Sequence, residues 1–69
     1  MEMKYSHKED NRYHFCLDID FDHRIYFYTY RDLSGFHLSF DVGNPRDWIT
    51  AGIEILINMK FIESEVNKH

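Results

Sequence analysis

The sequence predicts an α+β domain, a three-stranded antiparallel meander followed by one C-terminal helix packed on one face (βββα, two layers). Three observations predict it. Apolar and polar residues alternate from Tyr13 onward, turn residues recur between aromatic runs, and a helix signature follows Gly43-Asn44-Pro45.

The first strand reads Tyr13, Phe15, Leu17, Ile19 and Phe21 on one face, with His14, Cys16, Asp18, Asp20 and Asp22 on the other. A two-residue period sends these sets to opposite sides of a sheet. The second strand, Arg24 to Arg31, is apolar or aromatic on both faces, so its neighbours must orient it. Asp32-Leu33-Ser34-Gly35 has the Asp-first, Gly-fourth form of a type I turn. Across it Arg31 meets Phe36, Thr29 meets Leu38, Phe27 meets Phe40 and Ile25 meets Val42. The outward pairs are then Tyr30 with His37, Tyr28 with Ser39 and Tyr26 with Asp41. A three-residue loop, Asp22-His23-Arg24, pairs Phe21 with Ile25 and Ile19 with Phe27. It sets Asp20 beside Tyr26, Asp18 beside Tyr28 and Cys16 beside Tyr30. A two-residue loop would exchange the faces and expose Ile25 and Phe27, against the better tolerance of Tyr for water.

Asn44 suits an N-cap and Pro45 the first helical position, and Asp47 favours the positive end of the helix dipole. The helix is expected from about Pro45 to about Ser64. Its apolar residues spread over roughly 200°, more than one small sheet covers. The surplus predicts a homodimer, with Trp48, Ile55, Met59 and Ile62 at the interface, although any one of these could equally be core. Residues 1–12 are polar without a clear period and read as an N-terminal arm, so that residues 13–69 form a single small domain.

Composition narrows the function. Hydrophobic residues make up 43% of the chain, too many for a disordered protein, and aromatic residues 17%. A domain this small is marginal alone. Cys16 is the only cysteine, which excludes an internal disulfide and suits a reducing, cytoplasmic setting. The N-terminus has no apolar run like that of an export signal. Net charge is −4, with the deficit in residues 17–47, which argues against direct binding to a phosphate backbone.

The expected outer face forms the rows Asp20–Tyr26–Asp41, Asp18–Tyr28–Ser39 and Cys16–Tyr30–His37. A tyrosine stripe offers large contact area at low entropic cost. Asp18, Asp20, Tyr26, Tyr28, Tyr30, His37 and Asp41 are therefore the expected partner-binding residues. The same tyrosines could simply stabilise a solvated sheet face. No metal or other cofactor is expected. Asp18, Asp20 and Asp22 spread over more than about 12 Å of strand, and Asp20 with Asp41, or Cys16 with His37, would lie a whole strand apart. Catalysis is not expected from residues on a flat face without a water-excluding pocket. The favoured reading is a small acidic, non-catalytic module that binds a protein partner and inhibits or regulates it. Carboxylates imitating nucleic acid are its sharpest form. The alternatives are a nucleic-acid binder using the aromatic face and a structural homodimeric subunit.

Overall fold

The computed structural model describes residues 1–40 and 45–69. It is α+β, with four antiparallel strands in the order β1-β2-β3-β4 and two helices. The strands are β1 (Glu2–Glu9), β2 (Arg12–Asp20), β3 (His23–Asp32) and β4 (Gly35–Phe40), and the helices are α1 (Pro45–Ile57) and α2 (Met59–Lys68).

The first correction concerns residues 1–12. Most of this segment is strand β1, joined to β2 through a turn at Asp10-Asn11. Asp10 takes a positive φ of 56°, a conformation Asp tolerates in tight turns. Met3 lies opposite Leu17, and Tyr5 lies opposite Phe15. Two inward residues among polar neighbours give too weak a period to announce a strand. A register irregularity between Tyr5 and His7 then sets His7 opposite His14.

The second correction concerns the β2–β3 hairpin. The turn is the two-residue Phe21-Asp22, with Asp20 opposite His23. A two-residue turn would by itself invert the faces. An irregularity between Asp18 and Asp20 absorbs one residue and restores them. The pairing is therefore displaced by four residues from the sequence expectation while the same faces are kept. Phe15 meets Phe27, Leu17 meets Ile25, Cys16 meets Tyr26, and His14 meets Tyr28. This register stacks large apolar residues at the middle of the sheet and leaves Phe21 fully exposed in the turn. The β3–β4 register follows the sequence reading from Arg31–Phe36 to Phe27–Phe40. The expected pairs through Asp41 and Val42, and the Asn44 cap, lie outside the described residues.

Both helices contribute to the core on one sheet face. Phe15 and Phe27 pack with Ile55 and Ile62, and Leu17 and Ile25 pack with Ala51. The helical segment is two helices rather than one. Between them Asn58 donates from its side-chain amide to the Glu54 carbonyl at 2.7 Å, while its backbone N–H bonds the Glu54 and Ile55 carbonyls. A side chain competing for a helical carbonyl is a recognised origin of such a break. Beyond it, Phe61, Ile62 and Val66 return to the sheet.

Ile55 and Ile62 are thus buried within this chain, at 5% and 0% exposure, and Met59 packs against the same cluster. Ile55 and Ile62 are core residues and do not form the expected dimer contact, while Met59 is partly buried. Trp48 is 47% exposed. The uncovered apolar surface lies on α1 opposite Ala51 and Ile55. Ile49, Ile53, Leu56 and Ile57 there are 68%, 53%, 74% and 70% exposed. Their spacing confines them to an arc of about 100°.

Candidate interaction surfaces

The second surface is the sheet face turned away from the helices. Outward alternation on four strands assembles a continuous series of rings across it. His7 and His14 stack with centroids 4.5 Å apart, and His14 lies 5.4 Å from Tyr28. Tyr28 lies 6.0 Å from Tyr30, which stacks on His37 at 5.0 Å. Each contact falls within the range of favourable aromatic pairs. Arg12 places its guanidinium 5.1 Å from the Tyr28 centroid, a cation–π contact. Ser6, His7, His14, Tyr26, Tyr28 and Ser39 border a shallow depression of about 440 Å³.

Of the expected partner-binding residues, Tyr28, Tyr30 and His37 come together as read, and Tyr26 is on the same face beside Cys16. The β2 carboxylates do not pair with the tyrosines across the strands. Asp18 faces Arg24, and Asp20 sits at the β2–β3 turn opposite His23. Asp41 lies outside the described residues. On the β2 side, the four-residue displacement replaces the expected tyrosine–aspartate neighbours with tyrosine–histidine and tyrosine–cysteine ones.

Asp18 is, moreover, held by two bases. Arg24 donates to both of its oxygens, the bond from Nη2 to Oδ2 measuring 3.2 Å, and Lys4 Nζ lies 3.3 Å from Oδ2. The Arg24 hydrogen bonds, followed by Lys4, hold the Asp18 carboxyl below its usual range, and Asp18 raises Arg24 in return. Glu2, Glu9 and Asp18 therefore share this face with Lys4, Arg12 and Arg24, so it is mixed in charge. Among the described residues of this face, Asp18 is therefore paired with bases and does not extend a row of free carboxylates. Cys16, expected outside, is only 5% exposed because flanking strands cover it.

At one margin, Asp32, Ser34 and His37 bring together the residue types of a nucleophilic relay. The Ser34 hydroxyl donates to Asp32 Oδ1 at 2.6 Å and lies 2.7 Å from His37 Nε2, which is itself 2.8 Å from the same carboxylate oxygen. A relay needs serine and aspartate on different ring nitrogens. Here both address Nε2, so the arrangement braces the β3–β4 turn. Ser34 first, then His37, lower the Asp32 pKa to about 2.

This predicts a pH dependence of known sign. A carboxylate with a depressed folded pKa stabilises the fold above its unfolded value near 4, and that contribution is lost as pH falls through about 2. NMR titration of the Asp32 carboxyl carbon should give a midpoint near 2. Ser34→Ala should move it upward. An ordinary midpoint in the wild-type chain would show that the turn network does not form.

At the other margin, His7, Glu9 and His14 place three ligand-type atoms within 4.8 Å of one another. Their residue spacing carries no established metal signature. The signal available in sequence is local: His7 and Glu9 are two apart on one strand, and a short hairpin returns the chain to His14. Assigning residues 1–12 to an arm concealed it.

Among the described residues no helix is long and apolar enough to cross a membrane. No known protein family, curated protein or solved structure matches the chain.

Proposed function

We propose that this chain is a small, non-catalytic interaction module that works as a homodimer, regulating a protein partner presented to its open sheet face. The observation supporting the homodimer is the exposed apolar arc of α1. Four large aliphatic side chains on the solvent side of one helix reach the upper end of what monomers leave uncovered. A second copy fits that arc for two reasons. A twofold contact matches the patch with itself. The helix also carries only Arg46 against Asp47 and Glu54, so two copies meet there with little of the repulsion implied by the whole chain's net charge of −4. Association through α1 turns both ring-bearing faces outward. The buried single cysteine suits the cytoplasm.

Sedimentation equilibrium over a range of concentrations tests the arrangement. The wild-type chain should be dimeric, and Leu56→Asp should be monomeric with unchanged circular dichroism. A wild-type monomer at the highest concentrations, or a Leu56→Asp dimer, would overturn it.

A second reading, single-strand binding by base stacking, is favoured by one observation. The observed β2–β3 register sets His14 and Cys16, not the β2 aspartates, opposite the tyrosines, and Arg12 lies over Tyr28. Titration with single-stranded DNA at low salt decides it, since a true complex must weaken as salt rises.

A further inference from the structure

We infer that His7, Glu9 and His14 form a binding site for a divalent transition-metal ion of the zinc type, a site that goes beyond the proposed association and does not depend on it. Two imidazoles and a carboxylate are a donor set for such an ion, and three protein ligands leave at least one coordination position open. His7 Nε2 lies 3.7 Å from Glu9 Oε2, and His14 Nε2 lies 4.0 Å from the same oxygen. All three ligand atoms fall within 4.8 Å of one another. A tetrahedral ion with bonds near 2.0–2.1 Å needs donors about 3.3 Å apart, so a contraction of well under 2 Å per pair closes the site.

Two further observations point to a ligand. The first is the second nitrogen of His7: Ser6 Oγ lies 2.8 Å from Nδ1. Donation of Nδ1–H to that hydroxyl leaves the Nε2 lone pair for an ion, the outer-shell arrangement that orients metal-binding histidines. The second is His14, whose Nε2 is buried and has no hydrogen-bond partner. A buried polar atom without a partner is costly, and an ion between it and Glu9 supplies one. The backbone explains why the three converge. His7 and Glu9 point the same way two residues apart, and the irregularity after Tyr5 brings His7 opposite His14.

The two rings now lie parallel, 2° apart in plane and stacked with centroids 4.5 Å apart, so no single point lies in the plane of both. Capture of an ion therefore requires each ring to turn about χ2 toward Glu9, a soft torsion. The site would tie β1 to β2 on the open face. Its open position would face solvent or a donor from a bound partner.

The test is calorimetric titration of the untagged chain with Zn²⁺ at neutral pH, alongside NMR of the ring protons. One ion per chain should bind saturably, with resonance shifts confined to the β1–β2 hairpin. Glu9→Gln and His7→Gln alter exposed side chains and should preserve the fold by circular dichroism while weakening binding at least about tenfold; Ser6→Ala should weaken it about tenfold as well. His37→Gln, at the far end of the ring series, should leave the affinity unchanged. Absence of saturable uptake, or uptake that survives both His7→Gln and Glu9→Gln, would overturn the assignment.

Discussion

Removing residues 1–9 should abolish the cooperative unfolding transition of the remaining chain. These residues would be dispensable in an arm. In the fold they pair along β2, place Met3 and Tyr5 against the core clusters, and set Tyr5 edge-on to Phe15 at 5.5 Å. Tyr5 also stacks on His69 at 4.2 Å, and Lys8 donates to the His69 carbonyl at 3.3 Å, so the strand secures the end of α2. A domain of this size holds roughly 3–10 kcal/mol of net stability. Loss of an entire strand ladder and two packed side chains removes a contribution of that order. Thermal and urea melts of the truncated chain should show no sigmoidal transition. A transition unchanged from the full-length chain would restore the arm reading and dismiss the four-stranded sheet.

Phe27→Ala should destabilise the fold by about 3–5 kcal/mol, the range for emptying a buried aromatic site. Phe27 is 2% exposed and stacks on Phe15 at 5.3 Å, with Phe40 at 6.3 Å on the next strand and Ile55 and Ile62 in the same cluster. Strands on both sides and helices above leave little room for the cavity to collapse. The companion variant Phe21→Ala should change stability by no more than about 0.5 kcal/mol, because Phe21 is fully exposed in the turn. The pair discriminates between registers. Had Phe21 faced Ile25, both truncations would cost several kcal/mol. Urea denaturation of the two variants, compared at equal slope, reads the difference.

The legible parts of the fold were those whose signals are local. The β3–β4 register could be read pair by pair because Asp32 and Gly35 mark the turn, and Gly35 takes a φ of 123° that favours glycine. The orientation of β3 could also be read, since period-two alternation keeps Ile25 and Phe27 inward under any even displacement. The β2–β3 pairing was not legible. Its turn falls at Phe21-Asp22, where a phenylalanine resembles core, and the compensating irregularity near Ile19 has no residue signature. The break at Asn58 was equally hidden, because the apolar pattern continues through it to Ile62 and Val66. For the surfaces, Tyr28, Tyr30 and His37 could be grouped from alternation and one turn. His7 and His14 could not, because their meeting depends on a strand whose own periodicity is too sparse to recognise.

The irregularity in β1 after Tyr5 has a consequence for crowded solutions. A regular outermost strand invites the edge of another molecule to continue the sheet, and such head-to-tail growth has no natural end. A bulge, lysines and glutamates along β1 spoil that template. The proposed pairing through α1, by contrast, closes upon itself, so concentrating this protein should yield discrete particles and not fibres.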